Sequence, residues 1–546
     1  MKIALAQLNF HIGDFEANAE KITKYIGKAK AAKADLILFP ELAISGYPAR
    51  DFLDFRHFVD SCISQIENIA STCIGITAIV GGPSHNQEPK GKSLNNSAYV
   101  LSDGKIQAVH HKMLLPNYDV FDEYRYFEPA KSVFPVSING ESWALTICED
   151  IWDIEEDSMY PVHPLDLLLK EHKVKGVLNI ASSPFSNKQR AARTKTLRSV
   201  YNKYKLPVVY TNQIGAQTEL IFDGGSAVLN QKGELLESPY FEENLCYWDS
   251  ETGDSINLEA KKDHLEIEHV HKALVLGVRD YFRKLGFTKA LLGLSGGIDS
   301  ALTLAIAAEA LGAENVLAVM MPSEYSSDHS ISDSEKMIAR LGCPKYTLPI
   351  QPVFTSFLKQ LEEPFAGMEF GLAEENLQAR IRGTLLMSIS NKHGHILLNT
   401  SNKSEIAVGF GTIYGDMCGG LSVIGDVYKQ EVYELSRYIN RHGEIIPENI
   451  ITKAPSAELR PNQFDSDRLP DYEILDKILY LYIECCQDIN AITEQLPKID
   501  PAVIKKTISL VNINEYKRHQ TPPVLRVSTK AFGQGRRMPI VAKYLI

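Results

Sequence analysis

The segment Leu294-Ser295-Gly296-Gly297-Ile298-Asp299-Ser300 has the residue types of a phosphate-binding loop. It follows an apolar run, residues 290–292, and leads directly into a helical pattern over residues 301–311. The two glycines allow the backbone to turn sharply and to approach a ligand closely, while the serines offer hydroxyls. The first N–H groups of a helix have no partner within it, so they point at any anion that lies there. The segment therefore predicts a phosphate site at the start of a helix.

The ligand predicted for this loop is ATP. The Gly-Lys-Ser/Thr ending of the common mononucleotide loop is absent. The order Ser-Gly-Gly-x-Asp-Ser instead resembles the pyrophosphatase-type loop of enzymes that cleave ATP into AMP and pyrophosphate and so make acyl adenylates. A plain Gly-Gly turn between strand and helix is the alternative, but the aspartate and both serines at matching spacing favour ATP.

A second reactive set lies in the first half of the chain, where Glu41, Lys112 and Cys148 each stand in a loop or at the end of an apolar run. A thiol is a poor nucleophile until a base takes its proton, and a cation stabilises the oxyanion that forms on attack. The three together suit amide cleavage. Singly, the cysteine would pass as a buried small hydrophobe and the other two as loop charges.

Further polar segments follow the phosphate loop. Asn376, Arg380 and Gly383 share one face of a predicted helix, which leaves room for a ligand beside the small residue. Residues 399–405 and 414–416 offer hydroxyls, a cation and carboxylates able to hold Mg²⁺ between phosphates. Singly, these residues would pass as loop polar groups.

Length and composition limit the class of protein. At 546 residues the chain is too long for one core, so at least two domains are expected. No apolar run approaches membrane-spanning length and no signal peptide is evident, so we expect a cytosolic protein without a membrane anchor. The eight cysteines have no metal spacing and are expected to be mostly core thiols. A net charge of −11 argues against a nucleic-acid partner.

These residues must be positioned by alternating strands and helices. In the first half, the apolar pattern predicts buried strands over residues 34–39, 76–80, 144–148, 176–180 and 207–210. Helices are predicted over residues 16–33 and 189–204, and hairpin turns are predicted over residues 101–106 and 231–233. In the second half, residues 290–294, 316–321, 346–350 and 395–399 read as strands between helices, which predicts a doubly wound parallel sheet with ligands at the carboxyl ends of its strands. Apolar density drops before a strong helical pattern over residues 270–285, so we predict domains over 1–250 and 268–546 with a linker over 251–267.

The order and flanks of Glu41, Lys112 and Cys148 resemble the nitrilase and amidase family, and the resemblance spans the first domain. It implies a four-layer α-β-β-α sandwich in which the glutamate is the general base, the lysine supports the tetrahedral intermediate and the cysteine forms a thioester. In glutamine-hydrolysing members, similar stretches hold the amino acid. That implies Tyr118, Ser183 and Lys188 as glutamine contacts, and Glu123 as a second carboxylate near the thiol.

The whole chain resembles the glutamine-dependent NAD(+) synthetase family, including residues 453–461 and 516–518. The resemblance implies a carbon–nitrogen ligase: ammonia released from glutamine amidates deamido-NAD after ATP has adenylated it. It implies deamido-NAD contacts at Asn376, Arg380, Glu405 and Lys517, and Mg²⁺ ligands at Asp299 and Glu405. Ser401 and Cys418 stand where many relatives have glycine and alanine. The ATP contacts implied are Gly293, Leu294, Ser295, Gly296, Gly297, Ile298, Asp299, Ser300 and Thr400.

Two centres in one chain predict a protected passage for ammonia, because ammonium in bulk water cannot attack. Family resemblance also implies a homo-oligomer. One alternative keeps the adenylating half but changes the acceptor, as in GMP, asparagine or tRNA-modifying enzymes; the first half of the chain argues against it, since those glutamine-using relatives carry other glutaminase domains. Another alternative is a nucleotide-sensing scaffold without turnover, which the intact reactive residues argue against.

Overall fold

The computed structural model describes residues 1–152, 159–260, 265–456, 458–460 and 463–544. The chain divides into two compact units, Met1–His264 and Leu265–Ile546. The segment 251–267, predicted as a linker, contains two short strands, and its residues 261–264 lie outside the described residues. Within the described part of the chain, no helix is both long enough and apolar enough to cross a membrane.

The described residues of the first unit form sixteen strands and five α-helices. The strands are β1 Lys2–Gln7, β2 Leu36–Leu38, β3 Thr77–His85, β4 Leu94–Ser102, β5 Lys105–His111, β6 Val136–Ile138, β7 Glu141–Ile147, β8 Val177–Ala181, β9 Val208–Asn212, β10 Ile214–Gln217, β11 Leu220–Asp223, β12 Ala227–Leu229, β13 Leu235–Glu237, β14 Asn244–Asp249, β15 Ser255–Ile256 and β16 Glu259–Ala260. The helices are α1 Phe15–Ala31, α2 Arg56–Thr72, α3 Glu123–Tyr126, α4 Pro164–Glu171 and α5 Gln189–Tyr204.

Two seven-stranded sheets form the centre of this unit, in the orders β15-β14-β1-β2-β3-β4-β5 and β16-β13-β12-β9-β8-β7-β6. Side chains alternate between the two faces of each strand. Leu5 and Ile79 of the first sheet share a core with Ile147 and Leu178 of the second, whereas the opposite face of the first sheet packs on α1 and α2. Leu168 of α4 and Leu197 of α5 cover the second sheet. The unit is therefore the predicted α-β-β-α sandwich.

The second unit has one five-stranded sheet, in the order β19-β18-β17-β20-β21, and every strand pair in it is parallel. Its strands are β17 Ala290–Gly293, β18 Val316–Met320, β19 Lys345–Thr347, β20 Ile396–Asn399 and β21 Leu421–Ser422. Its helices are α6 Glu266–Leu285, α7 Ile298–Leu311, α8 Asp328–Leu341, α9 Gln351–Gln360, α10 Leu372–His393, α11 Lys403–Val408, α12 Lys429–Ile439, α13 Glu448–Thr452, α14 Tyr472–Leu479, α15 Ile489–Gln495, α16 Pro501–Ile513 and α17 Glu515–Arg518.

The strand order changes direction at β17, because the chain goes from β17 to β18 on one side and places β20 on the other. Such a switch point opens a crevice at the carboxyl ends of the strands. The loops after β17 and β20 both start at this edge, so the fold brings residues 294–300 and 400–405 to the same crevice.

Several predicted strands have different ends in the structure, and two of these differences have a clear physical reason. The strand predicted over 346–350 ends at Thr347, because Pro352 at the start of α9 fixes a helical φ there and the preceding residues lead into that helix. The strand predicted to include Cys148 ends at Ile147 instead, and the cysteine opens a short 3-10 helix. Of the cysteines, five are buried, Cys418 is half-buried, and Cys485 and Cys486 are exposed.

Candidate active sites

Glu41 lies in the turn that follows β2, and its side chain is completely buried. The turn fits because position 81 of the neighbouring β3 is glycine: a Cβ there would come within 2.4 Å of the Pro40 carbonyl oxygen and the Leu42 nitrogen. Glu41 Oε2 accepts a hydrogen bond of 3.0 Å from the Ser182 backbone N–H. The carboxylate is thus fixed in place before any substrate arrives.

Lys112 follows β5 and lies between two carboxylates, with all three side chains buried. Its Nζ donates to Glu41 Oε1 at 2.7 Å and to both oxygens of Glu123 at 2.9 and 2.8 Å. Burial lowers the pKa of Lys112, but the two carboxylates outweigh burial and hold that pKa well above its ordinary value. Burial, only partly offset by Lys112, raises the pKa of Glu123. A lysine cation and two carboxylates therefore share one buried site.

Cys148 has a φ of +44°, in the left-handed region that a non-glycine residue seldom adopts. Its thiol is buried, and burial together with the charge of Glu41 raises its pKa well above the ordinary value, against the opposing effect of Lys112. The free protein therefore holds a protonated thiol within electrostatic reach of a carboxylate and a cation. Attack by this sulfur requires a neighbouring base, and Glu41 is the carboxylate with the largest effect on it.

The residues predicted to hold glutamine differ in how deeply they lie in the protein. Tyr118 Oη donates to Glu149 Oε1 at 2.8 Å, which puts the tyrosine beside the residue that follows Cys148. Ser183 follows β8, and its Oγ accepts from Gln189 Nε2 at 2.9 Å. Glu123 belongs to the buried group described above. Lys188 is exposed and directly precedes the first residue of α5.

The phosphate loop links β17 to α7, as predicted. Gly296 has a φ of +80°, and a Cβ there would lie 2.5 Å from the Ser330 carbonyl oxygen, so this position requires glycine. The hydroxyls of Ser295 and Ser300 lie 3.1 Å apart, and Gly297 N donates to Ser295 Oγ at 3.2 Å. The hydroxyls and backbone N–H groups are thus held at the start of a fourteen-residue helix, where an anion is stabilised.

Asp299 and Glu405 are joined by Lys429, whose Nζ lies 2.5 Å from Asp299 Oδ2 and 3.4 Å from Glu405 Oε1. Asn402 Nδ2 also donates to Asp299, at 2.9 Å. Burial and the charge of Asp299 raise the pKa of Glu405 to about 8. Two carboxylates thus share one ammonium at this point of the crevice.

A cavity of about 630 Å³ opens at the switch point, and the predicted ATP and Mg²⁺ residues line it, Thr400 included. Asn376 and Lys517 also line it. Asn376 Oδ1 accepts from the Thr412 hydroxyl at 2.7 Å, and Lys517 Nζ donates to the carbonyl oxygens of Gly409 and Gly411. Ser401 and Cys418 belong to the same wall. Nucleotides and dinucleotides bind in concave sites that are lined, like this crevice, by a few well-placed polar groups.

Arg380 is exposed, is not part of the cavity wall, and donates to the Ile413 carbonyl oxygen. Arg382, two residues further along α10, does line the cavity, as does Arg468, and burial lowers the pKa of Arg382 to about 10. A step of two residues turns a side chain to the far side of a helix, so Arg380 and Arg382 point in different directions from α10.

Comparison with known proteins gives the family. The family model for carbon-nitrogen hydrolases matches residues 2–254, and the one for NAD synthase matches residues 270–521. Glutamine-dependent NAD(+) synthetases from Synechocystis sp. and Acinetobacter baylyi are 45% and 42% identical to this chain, over 99% of its length and 99% and 98% of theirs. The chain belongs to the glutamine-dependent NAD(+) synthetase family.

Solved structures of this family agree. The enzyme from Acinetobacter baumannii, solved in complex with ADP, has a TM-score of 0.78 and 40% identity, covering 99% of this chain and 98% of that one. The enzyme from Cytophaga hutchinsonii has a TM-score of 0.83 at 21% identity, over 100% and 98% of the two chains, and supports the fold alone. The predicted family, the fold class and the assignment as a ligase are confirmed.

Besides Arg382, sequence reasoning missed one residue at each of the two centres. Lys429 lies 130 positions from the aspartate it contacts, and the cation predicted nearby, Lys403, is buried elsewhere against Asp426 and Glu484. Asn96 donates from Nδ2 to Glu41 at 2.7 Å and to Glu123 at 3.2 Å. No local pattern marks either residue, because each acts through a contact between distant segments.

Proposed function

We propose that the chain converts deamido-NAD, ATP and glutamine into NAD, AMP, pyrophosphate and glutamate. The observation that carries the proposal is the presence in one chain of a buried Glu41–Lys112–Cys148 set and a crevice closed by a pyrophosphatase-type loop. The curated relatives over the whole length bear the name of this activity.

In the first unit, glutamine binds beside Tyr118, Ser183 and Glu123. Glu41 takes the proton from Cys148, and the sulfur attacks the side-chain amide carbon while Lys112 stabilises the oxyanion. The C–N bond breaks, ammonia leaves with the proton that Glu41 returns, and a thioester remains. Water, activated by Glu41, then cleaves the thioester to release glutamate. The preformed contacts of Glu41 and Lys112 support these roles, because neither group must reorganise during the step.

In the second unit, the phosphates of ATP lie on residues 293–300 and Thr400. Asn376 and Lys517 face deamido-NAD across the crevice, while Arg380, outside the cavity wall, is the weakest of the predicted contacts. The nicotinate carboxylate attacks the α-phosphorus and pyrophosphate leaves. Ammonia then attacks the acyl adenylate, and AMP leaves with the former carboxylate oxygen. The Acinetobacter baumannii relative, solved in complex with ADP, supports an adenine nucleotide ligand.

The residues Asp299 and Glu405 fit a Mg²⁺ ion. Mg²⁺ usually takes one or two protein carboxylates together with substrate phosphates, and no cluster of three or more metal-ligating side chains is found within the described residues. The pair would hold the ion against the phosphates, and the bound ion would neutralise charge that develops on the leaving pyrophosphate. Lys429, between the two carboxylates, holds them in place and offers a further cation to the phosphates.

Ammonia, rather than ammonium, must reach the adenylate, so the proposal includes a protected passage between the two centres. It also includes a homo-oligomer and a cytosolic location, both of which rest on the family resemblance and on the composition. No lining residues are assigned to the passage.

The test is mass spectrometry of products formed from deamido-NAD, ATP, Mg²⁺ and glutamine labelled at the side-chain amide nitrogen. We expect labelled NAD, AMP and pyrophosphate in equal amounts. ADP and phosphate in place of AMP and pyrophosphate would contradict the adenylation step, and unlabelled NAD would contradict the nitrogen source.

A further inference from the structure

Asp150 is a buried carboxylate two residues after Cys148, and it takes no part in the proton transfers proposed for glutamine hydrolysis. Its Oδ1 accepts backbone hydrogen bonds from Met113 at 3.1 Å and from Leu114 at 2.9 Å. Its Oδ2 accepts from the backbone N–H of Ile147 at 3.0 Å. The side chain is only 3% exposed. Bonds from N–H groups to an ionised carboxylate are shorter and stronger than neutral ones, so this carboxylate is a firm point of attachment.

The bonded residues adjoin the two reactive side chains. Met113 and Leu114 directly follow Lys112, and Ile147 directly precedes Cys148. Lys112 follows β5, the edge strand of the first sheet, whereas Cys148 follows β7 of the second sheet. No strand pairing connects these two segments, so one carboxylate joins the ends of strands from different sheets at the site of reaction.

The same carboxylate holds the turn that contains Cys148. The bond from Ile147 N to Asp150 closes the start of the 3-10 helix over residues 148–151. Cys148 has its left-handed φ inside this turn, a conformation that persists only where surrounding contacts enforce it. On the other side, Asn179 Nδ2 donates to the Cys148 carbonyl oxygen at 3.4 Å. Asp150 and Asn179 therefore both help to hold the backbone turn that carries the thiol.

We propose that Asp150 is a positioning residue for glutamine hydrolysis, which sets the placement of Lys112 relative to the Cys148 sulfur by tying their segments together across the two sheets. This inference rests on the proposed function, since it assigns Lys112 to the oxyanion and Cys148 to the attack. The Asp150 oxygens accept from three backbone N–H groups of these segments, so Asp150 acts on the rate of the chemical step and not on the binding of substrate.

The test is the Asp150→Asn variant of the full chain. Asparagine has nearly the same shape as aspartate, but only one of its two terminal atoms is an oxygen acceptor. Its amide N–H group would therefore face a backbone N–H group of either the segment after Lys112 or the segment before Cys148. We expect kcat for glutamine hydrolysis to fall by about a hundredfold or more, because small misplacements of reacting groups have effects of that size. KM for glutamine should stay within about twofold, NAD synthesis from added ammonium should be unchanged, and alkylation of Cys148 by iodoacetamide should slow together with kcat.

Asp35→Asn is the matched control. Asp35 also accepts a backbone N–H, that of Lys2 at 2.7 Å, but it adjoins neither reactive segment, so all activities should stay at the wild-type level. An unchanged kcat in Asp150→Asn, or a raised KM with kcat unchanged, would overturn the assignment.

Should Asp150→Asn fail to fold, as judged by thermal unfolding, Asp150→Glu replaces it. That variant keeps the charge and both oxygens but displaces the segment after Lys112 by one methylene. We expect a lower kcat with KM retained, and wild-type kcat would overturn the assignment. Wild-type protein that made no NAD from glutamine would refute the proposed function instead, independently of Asp150.

Discussion

At the scale of single residues, the two centres solve opposite electrostatic problems. Around Cys148, burial keeps the thiol protonated, and a carboxylate and a lysine are held ready to take its proton and to stabilise the charge that develops. Around Asp299, two carboxylates share the single ammonium of Lys429, and burial together with the charge of Asp299 raises the pKa of Glu405. The first centre is arranged to create a nucleophile, and the second is arranged to receive cations and phosphates.

The first prediction separates the centres by their nucleophile. Replacing Cys148 with alanine should reduce NAD synthesis from glutamine to below about a thousandth of the wild-type rate, because no other group can form the thioester. Synthesis from added ammonium should remain, since the adenylating unit does not use the thiol. Both rates are measured as NAD formed under saturating ATP and deamido-NAD. Loss of both activities together would contradict the assignment of two centres.

The second prediction concerns the opposite centre. Asp299→Asn should reduce AMP formation by roughly a hundredfold or more, because it removes one charge from the pair that would hold the cation and charge stabilisation by a metal amounts to several kcal/mol. Hydrolysis of glutamine should stay measurable, and glutamate release provides that readout. AMP formation at the wild-type rate would remove Asp299 from the metal site.

At the scale of elements, the phosphate loop depends on the close approach of α8 to the turn between β17 and α7. Gly296→Ala would place a Cβ 2.5 Å from the Ser330 carbonyl oxygen in a residue with a φ of +80°. We expect a loss of about 1 to 3 kcal/mol in the free energy of unfolding, together with weaker ATP binding. Thermal unfolding and ATP titration measure the two effects.

Gly342→Ala is the matched control for that variant. Gly342 ends α8 with a φ of +78°, and a Cβ there meets no atom within 4 Å. This variant should lose stability through backbone strain alone, because the new Cβ meets no neighbouring atom, and its affinity for ATP should equal that of the wild type. Equal ATP affinity in the two variants would mean that the loop tolerates a Cβ.

Strand β5 carries a histidine whose titration should appear in the stability of the first unit. Burial, with a smaller effect from His111, lowers the pKa of His110 to about 4. Because the folded-state pKa lies below the unfolded value of about 6.5, the unfolded chain takes up the proton first as pH falls. His110 therefore contributes stability that is complete above about pH 6.5 and is lost as the pH falls to about 4.

The size of that contribution is about 3 kcal/mol at most, since one pKa unit corresponds to about 1.4 kcal/mol. His110→Asn should flatten the decline in the free energy of unfolding between pH 6.5 and pH 4, measured by denaturant titration at several pH values. The carboxylates that titrate below pH 5 serve as an internal reference, because they affect both proteins equally. An unchanged slope would show that the pKa of His110 is the same in the folded and unfolded chains, which would contradict the prediction.

Much of the fold was predictable because strands and helices carry their own periodicity. Helix α5 has the predicted bounds, and β8 and β17 lie within one residue of theirs. The turn at Cys148 was not predictable, since its left-handed residue is enforced by Asp150 and Asn179 and not by any local turn signal. The site residues divide in the same way. The residues that flank Glu41, Lys112 and Glu123 were enough to predict these three. Lys429 and Arg382 could not be predicted, because their roles depend on which distant segments meet and on which face of α10 lines the cavity.

At the scale of the whole molecule, each unit has its own core and its own chemistry, so the link between them is the fate of ammonia. Ammonia released into water becomes mostly ammonium, which lacks the lone pair needed to attack an adenylate. Free diffusion would therefore waste most of the nitrogen that the first unit releases, whereas transfer within the protein gives the second unit a high local concentration of the neutral nucleophile.

The final prediction tests that transfer in wild-type protein. With labelled glutamine and an excess of unlabelled ammonium in the same reaction, we expect the labelled fraction of NAD to exceed the labelled fraction of the free ammonium pool at every time point. Mass spectrometry of NAD and of derivatised ammonium supplies the two fractions. The Cys148→Ala protein, in the same mixture, should make only unlabelled NAD, which confirms that the label enters through the thiol. If the two fractions were equal in wild-type protein, ammonia would have mixed with bulk solvent before it reached the adenylate, and the protected passage would be wrong even though both centres remained active.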